Sequence, residues 1–120
     1  MGGNSVIPRL TDIIDAIERI REVVGDTPVE AFSTDWQKLW LIERGVEIIS
    51  EASRHLSDEL KARHPEIPWK KVAGIGNVLR HEYESVSAPI LWKLAQTDLR
   101  ILEKVCREEL ALSQAKEAHP

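Results

Sequence analysis

One ten-residue stretch concentrates the side chains that could carry chemistry, and we call residues 74–83 the His81 motif. His81 can accept or donate a proton, because imidazole titrates near physiological pH. Asn77 lies four residues earlier and could orient His81 or a phosphate, and Arg80 is the only cation inside the motif. Tyr83 is the only tyrosine of the chain. These residue types are suited to proton transfer beside a bound anion.

The motif falls on a predicted helix, and helical spacing divides it between two faces. Asn77 and His81 share one face, which Lys70 and Gly74 continue. An ideal helix turns about 100° per residue, so His81 and Tyr83 would lie about 200° apart. If both serve one site, either the helix ends between them or a second subunit completes the site. The other face carries Trp69, Val72, Gly76, Leu79 and Tyr83.

The motif and its surroundings resemble the HepT-like branch of the HEPN superfamily, which consists of small, all-helical ribonuclease toxins. The family pattern is Arg-Asn-x-Leu-x-His-x-Tyr, preceded by Pro-Trp and a Gly. Asn77, Leu79, His81 and Tyr83 are in register with it, whereas Gly76 occupies the Arg position. The resemblance covers roughly residues 10 to 105 and includes three flanking segments, at 49–52, 65–69 and 90–92.

This resemblance implies an enzyme that cleaves single-stranded RNA without a metal or other cofactor. In HepT-like proteins the motif Arg and His act across a dimer interface, which implies His81 as the proton-transfer group and Asn77 as its orienting neighbour. Arg80 could replace the missing cation, but adjacent helical residues face different ways, so two subunits would be needed. The family also implies a cognate minimal nucleotidyltransferase antitoxin, which silences the toxin by adding AMP to Tyr83.

Gly76 leaves a second interpretation open, in which a HEPN-type bundle binds a nucleotide or a partner without cleaving RNA. Two alternatives also remain at the level of single residues. His81 could cap the end of the third helix, and Tyr83 could pack with its hydroxyl at the rim of the bundle.

Charge is unevenly distributed in a chain of net charge −4. Residues 54–81 hold six Lys and Arg against three Asp and Glu, a charge of +3, and the rest holds ten against seventeen, a charge of −7. This segment is either a set of solvated helix ends and a loop, or a patch that attracts phosphate. In the second case, Lys70 and Lys71 are predicted binding residues.

Glu51 is a further candidate, because it lies in mid-helix between the apolar Ile49 and Ala52. It could face the bundle and bind a cation or amide of the third helix, or it could be a surface residue paired with Arg54 or His55. The spacing of Glu51 and His55 would suit metal ligands. The paired Glu-x-x-His motifs of di-metal bundles are absent from the sequence, so we expect no metal site.

Apolar residues at helical spacing predict four helices, which can bury their stripes only against one another. We therefore expect an all-α, four- to five-helix, up-and-down bundle. Thr34 and Gln37 could form a capping box for the second helix. Pro65 and Pro68 should separate the second helix from the third, and Ser87 could cap the fourth. The predicted helices span residues 9–24, 34–62, 69–83 and 87 to about 112.

Length and composition predict one domain over residues 1–120, with a core at about 8–112 and flexible ends. The single cysteine, Cys106, fits a reducing cytoplasm and a packing role, and no apolar run is long enough to span a membrane. Gly74 and Gly76 would let another backbone approach, so we expect a homodimer or higher oligomer built around the third helix. The expected core aromatics are Trp36, Trp40, Trp69 and Trp92.

Overall fold

The computed structural model describes residues 5–32, 34–81 and 97–118, without the side chains of residues 29, 32 and 76–81. Every regular element in these residues is a helix, so the predicted all-α fold class is confirmed. Helix α3 packs against α1 and α5, and α1 packs against α6. The helices are α1 (Ile7–Val24), α2 (Val29–Phe32), α3 (Trp36–Arg54), α4 (Asp58–Ala62), α5 (Trp69–His81) and α6 (Leu99–Ala118).

Helices α1 and α3 pack closely against each other, and Gly45 makes this approach possible. A Cβ atom added to Gly45 would lie 2.8 Å from the Cγ1 and Cδ1 atoms of Ile20. The apolar stripe of α1 is buried from Leu10 to Val24, as its spacing predicts. The helix ends at Gly25, whose φ of 48° is a left-handed conformation that favours glycine.

The second predicted helix is wrong in its length. Helix α3 ends at Arg54, and a separate short helix, α4, begins at Asp58. Ser57 is extended and its hydroxyl accepts a hydrogen bond from the Leu60 amide at 3.1 Å, so it caps a new helix. Leu56 and Leu60 are both buried, which means that the apolar seam continues across the break.

The start of α3 also differs from the prediction. Asp35 is the N-cap, and its carboxylate accepts a hydrogen bond from the Lys38 amide at 3.1 Å, in place of the predicted Thr34–Gln37 capping box. Trp36 and Trp40 are each 59% exposed and pack edge to face with ring centroids 5.2 Å apart. Their assignment to the core was therefore wrong. In the described part of the chain, no helix covers the face of α3 that carries these two side chains.

Helix α5 begins directly after the predicted proline break. Trp69 packs against the core, as predicted, and its indole N–H reaches the carbonyl oxygens of Lys61 and His64, each at 3.1 Å. These bonds hold the start of α5 against the end of α4. Trp92 and the proposed cap at Ser87 lie outside the described residues.

Helix α6 continues to Ala118, whereas the sequence predicted a frayed end after Leu112. Ser5 donates a hydrogen bond to Glu117 at 3.2 Å, which links the last turns of α6 to the start of the described chain. Leu99, Leu102 and Val105 are buried on its apolar stripe. Ile101 was predicted to share that stripe but is 50% exposed, and it lines a groove between α3, α5 and α6.

Candidate functional site

Helix α5 carries the described part of the His81 motif, residues 74–81. Asn77, Arg80 and His81 lie on its last two described turns. At about 100° per residue, these three positions and Ala73 fall within one sector of about 100°. The side chains of residues 76–81 and all of Tyr83 lie outside the described residues. The contacts predicted for Asn77, Arg80, His81 and Tyr83 therefore stay predictions, and the helix shows only which positions share a face.

Two side chains of α3 anchor the turn of α5 that precedes Asn77. Ser50 is buried, and its hydroxyl donates a hydrogen bond to the Ala73 carbonyl oxygen at 2.5 Å. Arg54 donates to the same oxygen from Nε at 3.2 Å and from Nη2 at 2.9 Å. Ser50 and Arg54 are four residues apart and share one face of α3. One backbone carbonyl of α5 thus accepts three hydrogen bonds from two side chains of α3, which fixes the position of α5 along the axis of α3.

Glu51 does not face the bundle, so that part of its prediction was wrong. Its side chain is 62% exposed and pairs with Arg54 at 3.6 Å and with His55 at 3.2 Å, as the alternative interpretation expected. Ser50 and Ser53 occupy the buried face of α3 at this level, and Glu51 is turned about 100° away from Ser50. Glu51 therefore bears on α5 only through Arg54.

Lys70 and Lys71 are exposed at the start of α5, and neither forms an ion pair with a described carboxylate. Lys71 borders an apolar groove between α3, α5 and α6, with Val46 and Leu102 among its lining residues. The positive segment is weaker than its sequence charge suggests, because Arg63 is bound to Glu109. Lys70 and Lys71 remain available to an anion.

Sequence reasoning missed two buried carboxylates on α6. Glu109 accepts hydrogen bonds from Arg63 at 2.7 and 3.1 Å and faces the ring of His64 at 2.6 Å. The Arg63 guanidinium, above all, lowers the pKa of Glu109, and this effect exceeds the opposing effect of burial. The pair ties α6 to the loop that follows α4. Spacing of three from the buried Cys106 was the signal that could have placed Glu109 on the buried face.

Glu103 is the second of these carboxylates, and it ties α6 to α1. Its partners are Arg21 and Arg107, the latter at 2.9 Å. Burial favours the neutral acid and would raise the pKa of Glu103, but the hydrogen bonds from both guanidinium groups outweigh burial and lower it. Arg107 also bonds Glu18 of α1 at 2.9 Å. The result is a paired network that stabilises the packing of α6 on α1.

Cys106 is fully buried between these carboxylates, which agrees with its predicted packing role. Burial, reinforced by the charges of Glu109 and Glu103, raises the pKa of the thiol to about 12. A thiolate nucleophile is thereby disfavoured. Within residues 5–32, 34–81 and 97–118, no three His, Cys, Asp or Glu side chains are grouped as a metal site would require. In the same ranges, no helix combines the length and apolar character that crossing a membrane demands.

Comparison with known proteins decides the family. The family model described as "Ribonuclease HepT-like" matches residues 13–109, from within α1 to the middle of α6, including the whole His81 motif. This chain belongs to the HepT-like ribonuclease family. The predicted resemblance is therefore confirmed. No solved structure shows significant similarity to this HepT-like chain.

Several relatives of this HepT-like chain are named as ribonucleases. It is 37% identical over 94 residues to the "Probable ribonuclease HepT" of Thermococcus cleftensis, covering 78% of this chain and 86% of the relative. It is 34% identical over 103 residues to a "Putative RNase" of Caldanaerobacter subterraneus, covering 86% of this chain and 92% of the relative. A "Putative RNase" of Methanocaldococcus jannaschii is 30% identical over 95 residues, covering 79% of this chain and 87% of the relative.

Proposed function

We propose that this protein is the toxin of a two-component toxin–antitoxin pair and that it cleaves single-stranded RNA without a metal. The observation that carries the proposal is the family match, which spans a motif that keeps Asn77, His81 and Tyr83. Helix α5 supports it by carrying both Asn77 and His81, with Asn77 one turn earlier on the same side.

The proposed chemistry is an in-line transfer at one phosphodiester. The RNA 2′-hydroxyl loses its proton to a base and its oxygen bonds to phosphorus. The bond from phosphorus to the 5′-oxygen then breaks, and that oxygen takes a proton from an acid. The products are a 2′,3′-cyclic phosphate and a 5′-hydroxyl. His81 is the proton-transfer group, and a dimer would provide one His81 as base and another as acid.

Gly74 supports the proposed dimer, or a higher symmetric oligomer, around α5. A Cβ atom added there would meet no described atom within 4 Å, so packing among the described residues does not require a glycine at this position. Glycine in a helix interior costs about 1 kcal/mol relative to alanine. Close approach of a second subunit would account for that cost. Light scattering at micromolar concentration should show a dimer or larger species, and a monomer would count against this part of the proposal.

Growth arrest on induction tests the proposal in cells, and RNA cleavage by the purified protein in EDTA tests it in solution. His81→Ala should abolish both effects. His55→Ala is the matched control, because His55 lies on the surface of α3, paired with Glu51. Cleavage that requires added metal, or that persists in His81→Ala, would contradict the proposed chemistry.

We further propose that the antitoxin is a minimal nucleotidyltransferase that transfers AMP to the Tyr83 hydroxyl. The added phosphate would compete with RNA for the same cations. Co-expression with a nucleotidyltransferase encoded beside the gene, followed by intact-mass measurement, should show added AMP that is lost in Tyr83→Phe. An unmodified but neutralised protein would instead indicate physical masking by the partner.

A second candidate function is a nucleotide- or partner-binding module without nuclease activity. Gly76 favours it, because an uncharged residue occupies the position of the family's catalytic arginine. This candidate would be supported if the purified protein binds RNA but does not cleave it, and if its induction causes no growth arrest.

A further inference from the structure

Arg54 occupies an unusual position at the junction of α3 and α5. It is the last residue of α3, and its side chain crosses to α5, where Nε and Nη2 both donate to the Ala73 carbonyl oxygen. In a regular α-helix this carbonyl accepts from the amide four residues later, which here is that of Asn77. The guanidinium therefore lies within a few ångströms of the Asn77 backbone, at the start of the turn that carries the motif.

Arg54 is bound at Ala73, the residue directly before the His81 motif. Taking Ala73 as the reference direction, Asn77 is turned by about 40°, Arg80 by about 20° the other way and His81 by about 80°. The guanidinium is held at the level of Ala73, at the start of this stretch of α5. His81 lies about 12 Å further along the axis, at 1.5 Å per residue from Ala73. An extended RNA strand of about two nucleotides would span that distance.

The partners of Arg54 hold it in place without cancelling its charge. A carbonyl oxygen is neutral, and the only described carboxylate near Arg54 is that of Glu51, at 3.6 Å and 62% exposed. The Arg54 side chain is itself 44% exposed. A guanidinium has five N–H donors, and at least two of them have no hydrogen-bond acceptor among the described residues. Arg54 is thus a positioned cation with donors to spare.

Arg63 shows what a purely structural arginine looks like in the same protein. It has the same exposed fraction, 44%, but its Nε and Nη2 atoms are both bound to the buried carboxylate of Glu109. Its charge is neutralised where it lies. The counter-ion of Arg54 is instead the exposed carboxylate of Glu51, which lies 3.6 Å away, beyond hydrogen-bond distance.

We propose that Arg54 binds a phosphate of the RNA substrate and supplies the cation that Gly76 does not. The inference rests on the proposed ribonuclease function and assigns to α3 a part of the site that the motif in α5 lacks. The planar guanidinium can donate two parallel hydrogen bonds to phosphate oxygens. Ser50 contributes as a positioning residue, because its hydroxyl donates to the same Ala73 carbonyl oxygen and helps to fix the position of α5 along α3.

Arg54 could bind phosphate, or it could only link α3 to α5. RNA binding distinguishes these two roles and is measured in the His81→Ala protein, which should bind RNA without cleaving it. The probe is a fluorescently labelled single-stranded RNA, measured by anisotropy at several KCl concentrations. Arg54→Ala should weaken binding and reduce the slope of log K against log salt by about 0.7, the value for one phosphate contact on a single strand. Arg54→Lys should retain most of the slope, because it keeps the charge.

Two controls make the result specific. Ser50→Ala removes the other bond to the Ala73 carbonyl without changing charge, so it should leave the salt slope unchanged. Arg19→Ala removes an exposed arginine that pairs with Asp15 on α1, away from α5, and should also leave the slope unchanged. An unchanged slope in Arg54→Ala, or equal effects of Arg54→Ala and Ser50→Ala, would overturn the assignment.

Failure of the proposed function would look different. If wild-type protein cleaves RNA and Arg54→Ala cleaves it equally fast, only the role of Arg54 is rejected. If wild-type protein neither binds nor cleaves RNA, the ribonuclease proposal fails, and the assignment of Arg54 fails with it.

Discussion

The last helix and the α5 motif face treat charge in opposite ways. On α6, Glu103 and Glu109 are buried and each is bound by guanidinium groups. Beside α5, Arg54 is half-exposed and is held mainly by a neutral carbonyl. Among the described residues, no buried side-chain nitrogen or oxygen lacks a partner. Charges that stabilise the fold are therefore neutralised in place, whereas charges beside the motif stay available to a ligand.

The largest expected effect is on activity and belongs to the motif face. His81→Ala should lower the rate of RNA cleavage by about 10²–10⁴-fold, because a general acid–base group typically contributes that much. Urea unfolding should change little, since the proposed role of His81 is in catalysis and not in the fold. Cleavage rates and unfolding curves measured on one preparation check both halves. A large loss of stability would show that His81 stabilises the fold, as Glu103 and Glu109 do, and would contradict the distinction between α6 and the motif face.

The next effect is on stability and belongs to α6. Glu109→Gln should lower the free energy of unfolding by about 1–3 kcal/mol, because it weakens charge-assisted bonds of a buried group. Glu59→Gln is the matched control: Glu59 also contacts Arg63, at 3.5 Å, but is 88% exposed and should cost less than about 0.5 kcal/mol. Urea unfolding at pH 7 measures both. Equal effects of the two changes would contradict the proposed role of Glu109.

The same carboxylate predicts how stability depends on pH. The folded state lowers the pKa of Glu109, through Arg63 first and His64 next, so its stabilisation is present above the pKa of the unfolded carboxyl. That stabilisation should be lost as pH falls through the lower, folded pKa. Glu109→Gln should flatten this acid limb of unfolding free energy against pH. An acid limb that is unchanged in Glu109→Gln would show that other groups dominate it.

Alanine substitutions at two glycines, Gly45 and Gly74, should change stability in opposite directions. Gly45→Ala should destabilise the protein by about 1–3 kcal/mol, because the new methyl group would lie 2.8 Å from Ile20. Gly74→Ala should stabilise each subunit by up to about 1 kcal/mol, because helix propensity improves and nothing described lies within 4 Å. Gly74→Ala should also weaken the proposed dimer. Thermal unfolding and light scattering check the pair, and the same sign for both changes would reject it.

The helices could be predicted largely from spacing, because α1 and the break before α5 are local properties of the sequence. The break between α3 and α4 could not, since Leu56 and Leu60 keep the helical rhythm across it. Trp36 and Trp40 were misplaced for a related reason. Spacing shows which residues share a face, but it does not show whether another helix covers that face.

The candidate site was predictable only in part. The motif residues could be named from the sequence, and their roles stay predictions. The bond from Arg54 to Ala73 joins residues 19 apart, and that from Arg63 to Glu109 joins residues 46 apart. Both depend on how the helices pack, so local pattern could not distinguish the arginine that is neutralised from the one that is not.

The chemistry of the RNA ends tests the central claim most directly. Wild-type protein should cut a defined single-stranded RNA in EDTA and leave a 2′,3′-cyclic phosphate and a 5′-hydroxyl, identified by mass spectrometry of the fragments. His55→Ala should give the same products and His81→Ala almost none. Fragments that carry a 3′-hydroxyl and a 5′-phosphate, formed only when a divalent metal is added, would contradict proton transfer by His81 as the basis of this protein's activity.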